Sequence, residues 1–400
     1  MTSTDSPARR AAEESLKARV TQLGLKQQQE VVDRVARTVI RDKLVYPKAM
    51  VFAADEATGE MAINYFPDNG PVETAFVHTH ALGQLADKSR PAKHEPMIYR
   101  KYMWELLHGQ PWHRNLLAET LNTFYHCGDF RDRRKQPAKF LHRLVDDKLC
   151  GFLSRSFNRN LNTMASLKAF IEACALRGAG PLSAGTTMVR TYLKCVLPEV
   201  FEPVPGEFVA FGVAFGNSDF GDGTLNISNI VFRVNSVDVN KHRYGSTTVV
   251  ESAYSKTHLG SIIQESDIEL SDDTANKEVQ AVNSAIKDVV EHQLNREAIE
   301  KTLEAIKIAS QEKIPWGTVE ELLTAVLGKK DAEMARNFLD ASIEDLPPPI
   351  IGSDGTKEAS GWWLSNLVGW FAENVKDCAK KEELQTRAGE ILGKSLKGKI

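Results

Sequence analysis

Between Glu207 and Phe215 both alternating sets of side chains are apolar: Phe208, Ala210, Gly212 and Ala214 on one, Val209, Phe211, Val213 and Phe215 on the other. A strand with that pattern has no face to offer water, so it belongs inside a sheet covered on both sides. Phe140 to Val145, Leu149 to Leu153, Val189 to Leu197 and Thr224 to Val234 read as its companions, separated by glycines, prolines and polar turns. The cover is helical. Val279, Val282, Ile286, Val289, Leu294, Ile299, Leu303 and Ile306 recur at helical spacing on an otherwise charged surface, which predicts one long packing helix. The expected class is α+β, with a central antiparallel sheet, long packing helices, a helical N-terminal region and a helical C-terminal segment.

Six regions follow from the same pass. Residues 1–45 predict a helical hairpin that starts at Asp5-Ser6-Pro7 and is divided by Gly24. Residues 46–130 mix two strands, Ala49 to Ala53 and Glu60 to Phe66, with helices broken by Pro91, Pro96 and Pro111. The β-rich core spans 131–262 and the long-helix region 263–346. A linker, 347–361, is predicted from Leu346-Pro347-Pro348-Pro349 and Gly352-Ser353-Asp354-Gly355. In the last region, 362–400, Trp363, Leu367, Trp370 and Phe371 fall on one helical face and predict docking onto the body.

Of 400 residues, 42% are hydrophobic and 26% charged, an ordinary globular balance with enough apolar mass for a large core. No apolar run approaches the roughly 18 to 20 residues of a membrane helix, and no apolar signal region follows the polar N-terminus. Cys127, Cys150, Cys174, Cys195 and Cys378 form no Cys-x-x-Cys pair, and read as reduced, buried thiols. Cytoplasmic location is the expectation, and no membrane partner.

Catalytic motifs fail on inspection. Gly389 to Ser395 imitates a phosphate loop but has three residues between its glycines where four are needed, and no strand before it. Asp219-Phe220-Gly221 lacks the glycine loop, lysine and His-Arg-Asp of a kinase, and the turn Asn217 to Gly223 lacks the distal glutamate of a calcium loop. His78 and His80 lie two apart on a segment whose apolar pattern is helical, so they diverge rather than chelate. No catalytic, cofactor or metal residues are assigned.

One charge asymmetry stands out against the net charge of −3. From Arg131 to Arg159 there are nine basic residues against three acidic, interleaved with Phe130, Phe140, Phe152 and Phe157. Cations beside stackable rings suit single-stranded nucleic acid, whose phosphates meet the cations while the bases stack. The same alternation describes strands with one buried and one solvated face.

Lys139-Phe140-Leu141-His142-Arg143, Gly151 to Arg159, Asn217 to Leu225 and Phe232-Arg233-Val234, in that order and spacing, resemble the phage/plasmid-like domain-of-unknown-function 932 family. Ala81 to Ala86, Leu116 to Asn122 and Trp363 to Val368 are similar to its flanking motifs, so the likeness runs from Phe76 to Ser395. The turn Val234 to Asp238 departs from the family's Cys-x-Asn-Gly-like turn, whereas His242 before Gly245 matches. The resemblance implies bacteriophage or mobile-element biology. By analogy with single-strand annealing proteins, we expect a non-enzymatic DNA-binding protein of a recombination system that assembles as a homo-oligomer and has single-stranded DNA and a recombination partner as its associates. The expected nucleic-acid-binding residues are Arg131, Arg133, Arg134, Lys139, Arg143, Arg155, Phe157, Arg159, Arg233, His242, Arg243 and Tyr244, with Arg143, Arg155, Arg159 and Arg233 holding phosphates and Phe157 or Tyr244 stacking bases. Two alternatives are a structural or regulatory assembly protein, and an enzyme built on the turn Asn217 to Gly223 with His242.

Overall fold

The computed structural model describes residues 6–55, 57–66, 71–88, 100–128, 130–131, 137–234, 246–258, 272–342, 350–351 and 357–395. The fold is α+β. From Pro7 the chain is helical to Arg37: α1 (Pro7–Ala18) and α2 (Leu25–Arg37) are joined by a π-helical turn, Arg19–Gly24. Ser6 caps the start, its Oγ accepting from the Arg9 amide at 3.2 Å, and Pro7 takes the first helical position. The hairpin expected over 1–45 is thus one helix run followed by a strand. Gly24 keeps a helical φ of −61°. Its role is close approach, because a Cβ there would collide with the Pro181 carbonyl oxygen. Alanine for glycine in a helix ordinarily stabilises by up to about 1 kcal/mol. Gly24→Ala is expected to do the opposite, lowering stability on the order of 1–3 kcal/mol in urea denaturation, because overpacking wins.

The first sheet comprises β1 (Ile40–Val45), β2 (Met50–Ala54), β3 (Met61–Tyr65), β4 (Glu73–Val77), β5 (Phe140–Val145) and β6 (Lys148–Ser154), in the order β1-β5-β6-β4-β3-β2. Only β4 and β6 run parallel among these neighbours. The sheet curls: the Tyr65 hydroxyl on β3 meets His142 Nδ1 on β5 at 2.9 Å although two strands stand between them in the order. Helices α3 (Thr79–Lys88), α4 (Arg100–Leu107) and α5 (Pro111–Cys127) pack with it around Phe52, Ile63, Leu85, Leu121 and Phe152. At the outer strand β2, the Asn122 side chain of α5 accepts from the Phe52 amide at 2.7 Å and donates to its carbonyl at 2.8 Å, standing in for a neighbouring strand.

The second sheet follows α6 (Thr163–Leu176) and contains β7 (Gly180–Thr186), β8 (Thr191–Val196), β9 (Phe201–Val204), β10 (Glu207–Asn217), β11 (Leu225–Val234) and β12 (Ser246–Lys256). Its order is β12-β11-β10-β8-β7, with β9 also on β10. β10 is the strand that the double apolar pattern demanded. One of its faces meets α1 through Phe208, Ala210 and Ala214. The other meets α6 and α7 (Asp272–Gln293) through Val213 and Phe215, and α8 (Arg296–Gln311) through Val209 and Phe211. At the outer strand β7, Gln27 Oε1 accepts from the Ala184 amide at 3.2 Å.

Four expectations are corrected. One central sheet is two, and the expected division at 130/131 cuts through the first of them, because β5 and β6, paired with each other, also pair with β1 and β4. The single long helix breaks between Gln293 and Arg296, where Asn295 Oδ1 caps α8 by accepting from the Ala298 amide at 2.8 Å. The linker is in part a small sheet: β15 (Lys357–Ala359) pairs with both β13 (Ile314–Pro315) and β14 (Ile350–Ile351). Cys150, Cys174 and Cys195 are buried free thiols, but Cys127, in the last turn of α5, is exposed, and the Cys378 side chain lies outside the described ones. The remaining helices are α9 (Val319–Leu327), α10 (Lys329–Ser342), α11 (Gly361–Glu373) and α12 (Cys378–Ser395). Docking of the aromatic helix α11 is borne out, with Trp363, Leu367, Trp370 and Phe371 all buried.

Candidate nucleic-acid interface

Strand register decides which of the predicted basic residues meet. Val45 on β1 pairs with Phe140 on β5, which pairs with Ser154 on β6. The residues just beyond, Tyr46, Lys139 and Arg155, therefore stand side by side at one end of the first sheet. The β2 and β3 ends join them, because the Phe66 amide donates to the Ala49 carbonyl at 3.0 Å. Here lies a depression of about 700 Å³ lined by Tyr46, Lys48, Phe66, Phe130, Arg131 and Pro137, among others. Tyr46 and Phe66 keep 43% and 47% of their surface exposed. Lys139 Nζ sits 4.6 Å from the Tyr46 ring centroid, and Lys48 is exposed on the short 3-10 turn Pro47–Ala49. The floor is aromatic: Tyr125 and Phe130 stack at 5.3 Å with an interplanar angle of 12°.

Beneath this rim the interior of the curled sheet is positive. Lys88 Nζ donates to the Phe152 carbonyl at 2.6 Å, and burial pushes its ammonium down to about 8, with Asp87 partly opposing. His142 is wholly buried, and burial, then Lys43 and Lys88, push its imidazole down to about 3. Its Nε2 has no partner among the described residues. Burial raises the Tyr65 phenol well above its ordinary range, and the Glu73 carboxylate adds to this. Glu73 takes ion pairs from Arg41 at 2.6 Å and from Lys43.

Only part of the expected contact set is at this surface. Arg131, Lys139 and Arg155 are there. Arg143 is not: it is buried, its Nε donating to Asp42 at 2.9 Å and its Nη1 to the Asp219 carbonyl at 2.5 Å. Phe157 cannot stack a base, because it is buried and already stacked on His258 with centroids 4.8 Å apart and an interplanar angle of 1°. Arg159 is exposed and pairs with Asp42 at 3.6 Å. Arg233 lies on the second sheet, largely covered, 3.5 Å from Glu207. Arg133, Arg134, His242, Arg243 and Tyr244 lie outside the described residues. The physical reason is that Arg143 alternates with inward-facing His142 and Leu144, but its own face of β5 meets the β10–β11 turn instead of water. Phe130, Phe140 and Phe152 belong to the first core.

That turn, read as a catalytic coincidence, is where the two sheets are joined. His80 and Gln84 of α3 bond the Phe220 carbonyl at 3.2 and 2.8 Å, and Arg190 reaches the Asp222 carbonyl. His258 Nε2 meets Asn217 Oδ1 at 2.9 Å. Burial holds the His258 imidazole below its ordinary value, against the Asn158 carbonyl and Asp219, with Arg143 and Arg190 adding to the depression. Among the described residues no three His, Cys, Asp or Glu side chains gather as a metal site would require. The residues missed from sequence are Tyr46, Lys48 and Phe66. The one available signal was an aromatic-Pro-Lys turn, Tyr46-Pro47-Lys48, between two strands.

No family model, curated protein or solved structure matches this chain. No helix among the described residues is long and apolar enough to cross a membrane.

Proposed function

We propose that the chain binds single-stranded nucleic acid at the end of the first sheet, as a non-enzymatic DNA-binding protein of a mobile element. The observation that carries this reading is the pair of half-exposed rings, Tyr46 and Phe66, around a depression rimmed by Lys48, Arg131 and Lys139. Unstacked bases offer flat apolar faces that such rings can take, and the cations lie where the backbone phosphates would run. Duplex DNA presents no free base faces, so the rim favours single strands. Arg155, on the neighbouring strand end, extends the path. Arg143, Phe157 and Arg233 are no part of it.

The test is fluorescence anisotropy of a labelled oligothymidylate against the full chain across a salt series. Tyr46→Ala with Phe66→Ala is expected to weaken binding by about 1–3 kcal/mol per lost stack, roughly 5- to 150-fold each. Lys48→Glu with Lys139→Glu is expected to flatten the salt dependence by about 0.7 in log–log slope for each phosphate contact removed. Undiminished binding by the aromatic double variant, or equal affinity for duplex, would refute the reading.

A further inference from the structure

At the seam of the two sheets, away from the rim, lies a cavity of about 410 Å³, a size typical of small-ligand sites between structural units. It is walled by α2, the β5–β6 hairpin, the first turn of α6, the β7–β8 hairpin and the β10–β11 turn. Most polar groups on this wall are already engaged with the protein. Thr38 Oγ1 donates to the Arg34 carbonyl at 2.9 Å, and Thr187 Oγ1 accepts from the Arg190 amide at 3.0 Å. Asn217 donates to the Leu161 carbonyl and to the hydroxyls of Thr163 and Ser166. The Arg190 guanidinium serves the Asp222 carbonyl and the Asn226 side chain.

Four groups keep hydrogen-bonding capacity among the described residues. The Arg34 guanidinium has one long bond, 3.4 Å to the Thr186 carbonyl, and no carboxylate partner. Asn162 uses its oxygen to cap α6, accepting from the Ala165 amide at 2.8 Å, and its NH₂ bonds nothing described. The Asp146 carboxylate is exposed without an ion pair, on a backbone held at φ 52°, the one positive φ outside glycine among the described residues. Asp219 engages one carboxylate oxygen, with the Thr163 amide at 3.0 Å, and the second has no described partner. Two donors, one of them cationic, and two carboxylates therefore border a cavity whose remaining wall includes Val35, Met164, Met188 and Phe220. A simple anion would meet the two aspartates, and a simple cation would meet Arg34.

We infer that the cavity binds a small zwitterion, a free α-amino acid with an apolar side chain. Its carboxylate lies on Arg34 and Asn162, its ammonium on Asp146 and Asp219, and its side chain against the two methionines. Charge-assisted pairs at both ends of one ligand supply orientation as well as affinity.

The experiment is a thermal-unfolding and calorimetric titration of the full chain with each of the twenty free amino acids, which raise the midpoint if they bind the folded state alone. Leucine or methionine is expected to raise it. Their N-acetyl and carboxamide derivatives, each lacking one charge, are expected to bind at least about tenfold more weakly. Arg34→Ala and Asp146→Asn, both at exposed positions, are expected to weaken binding by a similar factor while leaving the ligand-free midpoint in place. Tyr46→Ala should have no effect, which separates this site from the nucleic-acid rim. No midpoint shift with any amino acid, equal shifts with the blocked derivatives, or wild-type binding by both charge variants would each overturn the inference.

Discussion

Acid is expected to destabilise this protein from pH 6.5 downward, and replacing His142 should remove most of that sensitivity above pH 4. The imidazole is wholly buried beneath the rim, with Nδ1 on the Tyr65 hydroxyl at 2.9 Å and Nε2 unpartnered among the described residues, and burial with Lys43 and Lys88 nearby holds it at about 3. In the unfolded chain the same group titrates near its ordinary 6.5. The folded value is the lower one, so the unfolded state takes the proton first as pH falls. The contribution is complete above 6.5 and is lost progressively toward 3, amounting in the limit to about 5 kcal/mol. Urea midpoints at pH 7.5, 6, 5 and 4 for wild type and His142→Gln provide the comparison, because glutamine can still meet Tyr65 but cannot titrate. The glutamine variant starts less stable and should lose much less on acidification. Parallel pH profiles would mean that the proton is taken up elsewhere.

The second large effect is expected at Glu373, at the end of α11. Its carboxylate accepts from Thr247 Oγ1 at 3.0 Å on β12, from Gln385 Nε2 at 2.8 Å on α12, and from Lys381 Nζ at 2.6 Å. Lys194 of β8 belongs to the same cluster, pairing with Glu382 at 2.5 Å and bonding Gln385. Burial alone would raise the Glu373 carboxyl, but Lys381, Lys194 and Arg19 outweigh it and hold it below its ordinary 4.5. Glu373→Ala leaves Lys381 and Gln385 without their acceptor in a largely covered site, which costs about 3–5 kcal/mol, as broken buried pairs do. Hydrogen exchange should show α12 losing protection ahead of the second sheet. A cost below about 1 kcal/mol, the value of an exposed pair, would mean that the cluster is solvated. Because this folded carboxyl lies low, its contribution stands above pH 4.5 and is lost only below it, so between pH 6.5 and 4.5 the His142 effect is read without that of Glu373.

Much of the architecture was legible where local pattern and burial agree. β10 was readable because no other structure hides both of its faces, and α11 because three large rings and a leucine share one side of a helix. What stayed hidden depends on partners distant in sequence. Phe140 to Val145 looks like the start of a sheet that continues to β10, yet its neighbour is Ile40 to Val45, roughly a hundred residues earlier. The same blindness misplaced Arg143. Alternation along a strand tells which side chains share a face, but not whether that face meets water or another sheet. At the rim, Arg131, Lys139 and Arg155 were identified from charge density alone. Tyr46, Lys48 and Phe66 were not, because the ends of β1, β2 and β3 come together only when the sheet curls.

The side-chain amides of Asn122 and Gln27 have a consequence for how copies of this chain can meet. A backbone group of an outer strand that already has a partner cannot pair with an incoming strand, so Phe52 on β2 and Ala184 on β7 each interrupt the row of backbone groups that an added strand would need.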